Sequence, residues 1–184
     1  MSKIGRKPIL LNSVKAEIKG NTVLLSGAKG KVSHEVYPEL TIKLENNSLT
    51  LGVKEGSALT RDIKMQWGLN RALIANKIIG MDTGFEENVR IVGLGYKAQI
   101  TGSKMVFSLG YSHKIEYNIP KDVSITVDKT GQIVNVKSTD KWLLGNTCDT
   151  IRSFRRVEPY KGTGIIRANE VVIRKAGKSK ASAS

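Results

Sequence analysis

The stretch Val14-Lys-Ala-Glu-Ile-Lys-Gly-Asn-Thr-Val-Leu-Leu-Ser26 decides the fold, because the chain carries a second version of it. Apolar and polar residues alternate on both sides of the Gly20-Asn21 turn, and this pattern predicts two antiparallel strands. The second version is Tyr96-Lys-Ala-Gln-Ile-Thr-Gly-Ser-Lys-Met-Val-Phe-Ser108, whose turn is Gly102-Ser103. The matching glycines stand 82 positions apart. We therefore expect one structural unit to occur twice in the chain.

The same elements follow each hairpin in the same order. Pro38 and Pro120, again 82 positions apart, come first, and a further pair of strands and a helix come next. The predicted strand pairs are Leu40–Leu44 with Leu49–Val53 and Val123–Val127 with Ile133–Val136. Two unrelated hairpins could match in their strands alone. The shared order of strands, proline, strands and helix favours an internal duplication.

An apolar period near 3.6 residues predicts two helices, one from about Ala58 to Ile79 and one from about Asp140 to Arg156. Gly80 suits the end of the first helix, and the aspartate that opens the second suits an N-cap. Trp67 and Trp142 fall within the apolar periods. We expect both rings to pack in the core or between helix and sheet.

These elements predict an α+β fold of two similar domains, each an antiparallel β-sheet covered on one face by one α-helix. Gly84 and the acidic pair Glu86-Glu87 separate two apolar segments and mark the boundary. We expect an N-terminal α+β domain over residues 1–82, a C-terminal α+β domain over 83–170 and a basic tail over 171–184.

The chain is strongly basic. Thirty lysines and arginines against sixteen acidic residues give a formal net charge of +14, which favours nucleic acid or an anionic membrane as partner. Residues 1–88 carry thirteen basic and nine acidic residues, whereas 89–184 carry seventeen and seven. The C-terminal domain is therefore the predicted main contact with a polyanion, and RNA is the leading candidate.

The segment Arg155-Arg-Val-Glu-Pro-Tyr-Lys-Gly-Thr-Gly-Ile165 combines three cations, one aromatic ring, a proline and two glycines. Cations suit phosphates, a ring suits a base, and glycines let a backbone approach another polymer closely. The expected phosphate ligands are Arg152, Arg155, Arg156, Lys161, Arg174, Lys175 and Lys178. The residues expected to shape the close approach to RNA are Tyr160, Gly162 and Gly164. A second contact loop is predicted at Gly110, Tyr111, Ser112 and His113.

The segment Gly93-Leu-Gly-Tyr-Lys-Ala98 has the glycine spacing of a dinucleotide-binding loop. Such a loop must open a helix, whose N-terminus holds the pyrophosphate. The next residues, Gln99-Ile-Thr-Gly102, predict a strand instead, so the glycines indicate a bulge or tight bend. His34 and His113 lack the spacing of metal ligands, and Cys148 is expected to be a small core residue. We therefore predict no catalytic residue, no metal and no cofactor.

Two other classes of protein stay open at this point. A peripheral membrane protein would need an amphipathic helix with a cationic face, but the charges of the first predicted helix are mixed: Arg61, Asp62, Lys64 and Arg71. A dinucleotide-dependent enzyme would need the cofactor loop just described. No apolar run approaches the roughly 18 residues of a membrane span. Neither a membrane nor a small-molecule substrate is the expected partner.

Five segments of the chain resemble the bacterial-type family of ribosomal large-subunit protein six: Ser2–Ile9, Gly93–Ala98, Ser108–His113, Glu158–Ile165 and Arg174–Lys178. The resemblance implies two duplicated α+β domains and a structural role without enzymatic activity. It also implies that the C-terminal domain docks on large-subunit rRNA near the sarcin–ricin loop, close to where translational GTPases bind. The implied partners are rRNA and neighbouring large-subunit proteins, in the cytoplasmic ribosome of a bacterium or in a mitochondrial or plastid ribosome.

The chain departs from the family pattern around this predicted site. The family usually has lysine where Thr163 stands, an Arg-Tyr pair where Ile166-Arg167 stands, and proline where Lys114 stands. A common Pro-Pro pair is also replaced, by Arg156-Val157. The lost lysine removes one phosphate contact, while Arg156, Arg167 and Lys114 add charge nearby. We expect the overall electrostatic attraction to survive these changes.

Overall fold

A computed structural model describes residues 2–45, 47–54, 56 and 59–177 of the chain. These residues contain 13 strands and two helices. They divide into two compact units. The first takes in the residues up to Phe85 together with Thr139–Lys141, and the second takes in Glu86–Ser138 and the residues from Trp142 onward.

The first unit combines two three-stranded sheets with one helix. Its elements are β1 (Ile9–Leu10), β2 (Lys15–Lys19), β3 (Thr22–Gly27), β4 (Gly30–Glu35), β5 (Leu40–Glu45), β6 (Ser48–Val53) and α1 (Arg61–Asp82). The sheets have the orders β2-β3-β4 and β1-β6-β5. The first predicted hairpin is confirmed, because Ala16 pairs with Leu25 and Gly20 adopts a φ of +60° at the turn. Strands β1 and β4 were not predicted.

The helix α1 packs its apolar side against these strands. Ile63, Trp67, Ile74 and Ile78 are buried, together with strand residues such as Leu25. Burying each such side chain stabilises the fold by about 1.5–3 kcal/mol. The Trp67 indole nitrogen donates a hydrogen bond of 2.9 Å to the Leu51 carbonyl. The predicted core position of Trp67 is therefore confirmed.

The predicted ends of α1 are wrong by about three residues. Thr60 caps the helix by accepting a hydrogen bond from the Ile63 amide, and Ala58 lies outside the described residues. The helix continues through Gly80 as far as Asp82. Gly84 follows with a φ of +77°, and its amide donates to the Ile79 carbonyl at 3.0 Å. The glycine that ends the helix is thus the one that can take a left-handed backbone and close the last turn.

The second unit repeats the pattern with two sheets and one helix. Its elements are β7 (Phe85–Val92, which begins at the last residue of the first unit), β8 (Lys97–Thr101), β9 (Lys104–Ser108), β10 (Ile115–Asn118), β11 (Val123–Val127), β12 (Ile133–Ser138), α2 (Lys141–Ser153, whose first residue is grouped with the first unit) and β13 (Gly164–Arg167). The sheet orders are β10-β9-β8 and β11-β12-β7-β13. Ala98 pairs with Phe107 in the second predicted hairpin, and Gly102 has a φ of +61°. The α+β fold with repeated elements is therefore confirmed.

The helix α2 is shorter than predicted, and the side of it that is buried is narrower than the predicted apolar side. It ends at Ser153, and its buried residues are Leu144, Thr147, Cys148 and Ile151. Trp142 is 73% exposed, so its predicted core position is wrong. At 100° per residue Trp142 stands almost opposite Leu144 on the helix, which explains why its ring points away from the buried face.

Cys148 is a buried core residue, as predicted. Burial raises the pKa of its thiol to about 12, and the nearby Glu87 carboxylate adds to the effect. The thiol therefore stays protonated and unreactive at neutral pH.

Candidate nucleic-acid interface

The basic segment 155–165 begins at the end of α2 and returns to the sheet as an edge strand. The Ile165 amide donates to the Arg155 carbonyl at 2.9 Å, and Gly164 pairs with Val92 of β7. Strand β13 was not predicted, because the sequence suggested a loop that continued into the tail. These contacts hold both ends of the segment, so residues 156–163 form a closed loop between the end of α2 and strand β13.

Hydrogen bonds inside this loop make it compact. The Gly162 amide donates to the Glu158 carbonyl, and the Glu158 amide donates to the Thr163 carbonyl, each at 2.9 Å. The Lys161 amide donates to the Glu158 carboxylate at 3.1 Å. Tyr160 lies 54% exposed at the outside of the loop, next to an exposed Lys161. Thr163 takes part through its backbone, so the departure from lysine there leaves this bonding pattern intact.

The two glycines of the loop make room for protein atoms. Both are buried and have positive φ, +73° at Gly162 and +141° at Gly164. A Cβ at Gly162 would lie 2.9 Å from the Arg174 guanidinium, and a Cβ at Gly164 would lie 2.7 Å from the Val157 Cα. The close approach that they permit is therefore made by other parts of this chain. Contact of either glycine with RNA stays a prediction.

The second predicted loop meets the first through Tyr111. Gly110, Tyr111, Ser112 and His113 are exposed after β9. The Tyr111 hydroxyl donates to the Phe154 carbonyl at 3.1 Å, and the Arg155 guanidinium carbon lies 4.7 Å from the Tyr111 ring centre. The Tyr111 and His113 rings are nearly parallel, with 6.0 Å between centres and 22° between planes. The two segments predicted separately thus form one surface.

Tyr96 supports this surface and was missed in the sequence. Its ring packs between two glycines with positive φ: a Cβ at Gly93 would lie 2.5 Å from the ring, and one at Gly110 would lie 2.9 Å from it. Hydrogen bonding to Tyr111 and the proximity of Tyr96 raise the pKa of Arg155, which stays fully charged. The available signal was a glycine, Gly93 or Gly110, in two of the five segments that resemble the family, Gly93–Ala98 and Ser108–His113.

The loop from Gly93 to Ala98 leads into strand β8 and not into a helix. The strand predicted after it is confirmed, and so is the bend, since Gly95 has a φ of +74°. The helix N-terminus that a dinucleotide site requires is therefore missing at this loop. The described residues contain no group of three or more histidine, cysteine or acidic side chains that could hold a metal ion. No helix among them is long and apolar enough to cross a membrane.

The first part of the basic tail lies beside the 156–163 loop. The Lys175 amide donates to the Pro159 carbonyl at 2.9 Å, and the Arg174 guanidinium packs against Gly162. Arg156 is exposed on the loop itself. Arg155, Arg156, Lys161, Arg174 and Lys175 are therefore brought to one region. Lys178 lies outside the described residues.

Two arginines near this region are engaged in ion pairs. Arg152 donates from Nε to the Glu170 carboxylate at 2.8 Å, and this contact is the main reason why the pKa of Glu170 is lowered. Arg167 donates to Glu87 through Nε at 2.7 Å and through Nη2 at 2.8 Å. Arg167 was expected to add charge for RNA. Its guanidinium is paired with Glu87, and its contribution to RNA binding stays a prediction.

Comparison with known proteins gives one consistent result. The family model described as ribosomal protein L6 matches residues 12–84 and again residues 92–167, one match for each repeat. The chain is 38% identical to large ribosomal subunit protein uL6 of Brucella melitensis biotype 1 over 181 residues, which are 98% of this chain and 100% of the relative. It is 39% identical, with the same coverage, to the proteins of that name in Bartonella quintana and Bartonella henselae. The chain therefore belongs to the ribosomal protein L6 family.

Proposed function

We propose that this chain binds large-subunit rRNA near the sarcin–ricin loop through its second unit, and that it supports the region where translation factors bind. As a member of its family it is a structural, non-enzymatic constituent of the large ribosomal subunit, in a bacterial ribosome or an organellar one. The contact of Arg155 with Tyr111 is the observation that carries the proposed RNA surface, because it unites both predicted contact segments.

The proposed RNA surface consists of Tyr111, Ser112, His113, Arg155, Arg156, Tyr160, Lys161, Arg174 and Lys175. Five of these residues are cations, and each can neutralise one phosphate. Rigid positioning favours binding, since the side chains and loops need less ordering when RNA arrives. We further propose that the 83–170 domain and the tail from residue 171 supply this surface, and that residues 1–82 form the other domain.

The exposed rings of the surface suit unpaired bases. Tyr160 stands beside Lys161, and Tyr111 and His113 are both exposed. Sequence-specific recognition of RNA is concentrated on unstacked bases in loops and bulges, which stack on aromatic side chains. An irregular RNA loop flanked by phosphates therefore fits the surface better than a continuous duplex does.

Salt dependence tests whether the surface neutralises phosphates. With five phosphates, the slope of log K against log salt should be about −3.5 to −4.5 for the full chain on purified large-subunit rRNA. An affinity that does not change with salt would exclude this mode of binding.

Crosslinking tests the placement within the ribosome. A photoreactive group at position 160 of the full chain, assembled into large subunits, should attach to nucleotides at or beside the sarcin–ricin loop. A group at exposed Lys43 in the first unit is the matched control and should give a different set of nucleotides. Attachment from position 160 to distant rRNA only would refute the placement and leave the RNA-binding role intact.

A further inference from the structure

The side chain of Arg152 is held by Glu170. Arg152 stands in the last turn of α2, and Glu170 follows β13. The guanidinium donates from Nε to one carboxylate oxygen at 2.8 Å and from Nη2 to the other. The two side chains are only 35% and 24% exposed. A bidentate, partly shielded pair keeps its geometry better than a pair in full solvent.

The surroundings of Arg152 are acidic. A cleft beside it contains four carboxylates and two guanidiniums: Glu86, Glu87, Asp149, Glu170, Arg152 and Arg167. The net charge of these six groups is −2, and the Lys137 ammonium, 3.1 Å from the Glu86 carboxylate, brings it to −1. A phosphate brought into this cleft would meet more repulsion than attraction. The position suits a guanidinium that binds a carboxylate of the same chain.

Glu170 also stands where the tail begins, three residues after the end of β13. Its amide donates to the Arg167 carbonyl at 3.0 Å. Five residues further on, the Lys175 amide donates to the Pro159 carbonyl at 2.9 Å, and Arg174 lies against Gly162. The start of the tail is therefore tied at two points, once to α2 and once to the loop.

We propose that the Arg152–Glu170 pair is the anchor that directs the tail along the 156–163 loop, so that Arg174 and Lys175 are in place before RNA arrives. Arg152 is then a positioning residue and not one of the phosphate ligands. The proposal rests on the proposed function in one respect only, the use of Arg174 and Lys175 by rRNA.

The variant Glu170→Gln separates the two roles of Arg152 by the sign of its effect. It raises the net charge by one and releases Arg152, so a phosphate-binding Arg152 predicts tighter binding to purified large-subunit rRNA. The anchor predicts the opposite, an affinity about three- to tenfold lower at fixed salt, because the tail must be ordered during binding. Asp149→Asn is the matched control, since it removes a carboxylate of the same cleft, and its affinity should be equal or slightly higher. Binding by Glu170→Gln as tight as that of the unchanged chain would overturn the anchor.

Exchanging the partners gives a second test. The double variant Arg152→Glu with Glu170→Arg keeps the net charge and an ion pair across the same gap. It should recover most of the affinity lost in Arg152→Glu alone. No recovery would show that an arginine is needed at position 152 itself, which contradicts the anchor.

Hydrogen exchange in the free chain tests the anchor without RNA. The Lys175 amide is hydrogen-bonded to Pro159, so Glu170→Gln should accelerate its exchange several-fold, while the amide of Met105 in β9 should be unaffected. Unchanged exchange at Lys175 would refute the anchor. If Lys175 exchange accelerates but the unchanged chain does not bind rRNA, the proposed function fails and the anchor stands.

Discussion

The Arg155 guanidinium carbon lies 4.7 Å from the centre of the Tyr111 ring, and the Tyr111 hydroxyl donates to the Phe154 carbonyl at 3.1 Å. The ring is thus held at its face and at its edge by the residues that follow α2. This joins the loop after β9 to the segment that enters β13. The relative positions of the proposed phosphate and base contacts follow from this junction, so its disruption should affect both.

Removing the Tyr111 ring tests the junction. Tyr111→Leu loses the contact with Arg155 and the stacking face, and we expect about tenfold weaker binding to large-subunit rRNA. Tyr111→Phe loses only the hydroxyl and should stay within about threefold of the unchanged chain. Filter binding at fixed salt measures both. Equal losses in the two variants would assign the effect to the hydroxyl and count against a role for the ring.

A single cation of the surface can be tested by salt dependence. Lys161→Ala should reduce the steepness of log K against log salt by about 0.7–0.9, the change expected for one lost phosphate contact. Lys121→Ala, in the turn before β11, removes the same charge outside the surface and should leave the slope unchanged. An identical slope change in both variants would mean that binding follows net charge alone.

The glycines of the second unit give a matched pair for stability. Gly164→Ala must place a Cβ 2.7 Å from the Val157 Cα at a φ of +141°, so we expect a loss of about 2–4 kcal/mol in the free energy of unfolding. Gly145→Ala lies within α2 with open space around the new Cβ, and it should gain about 0.5–1 kcal/mol through helix propensity. Urea unfolding followed by circular dichroism gives both values. An alanine that is tolerated at position 164 would contradict the close approach of Gly164 to Val157.

The hairpins were predictable because their signal is local. Alternating residues around Gly20 and Gly102 determine strand, turn and strand without reference to the rest of the chain, and the period around Trp67 identified its buried side. Trp142 shows the limit of the same reasoning: a short helix buries a narrow face, and the pattern alone did not say which residues lie outside it.

The ion pairs could not be predicted, because charge says nothing about partners distant in sequence. Arg152 and Arg155 look alike as residues of one basic segment. One is bound by Glu170, 18 positions away, and the other lies over an aromatic ring. Arg167 meets Glu87 only because β13 pairs with β7, and 80 positions separate them. The sequence therefore located the basic region. The contacts of the folded chain show which of its arginines are held in ion pairs and which are available.

His34 in the first unit predicts a pH dependence of stability. Its Nε2–H donates to the Asn70 Oδ1 at 3.1 Å, and its Nδ1 accepts from the Lys77 ammonium at 3.3 Å. Burial, and then the charge of Lys77, lower the pKa of His34 below its ordinary value of 6.5, although the Asn70 contact opposes this. The unfolded chain therefore binds a proton first as the pH falls through 6.5, and the free energy of unfolding decreases until the pH passes the folded pKa.

Urea unfolding between pH 8 and pH 5 checks this prediction. The contribution of His34 to the free energy of unfolding is fully present above about pH 7.5, because the imidazole is then neutral in the folded and in the unfolded chain. His34→Gln keeps a polar side chain without a titrating group, so the decrease from this site should vanish in that variant. His113→Gln, which replaces the other histidine of the chain, should keep it. The same decrease in His34→Gln as in the unchanged chain would show that another group causes it, and the neutral hydrogen-bonded state assigned to His34 would be wrong.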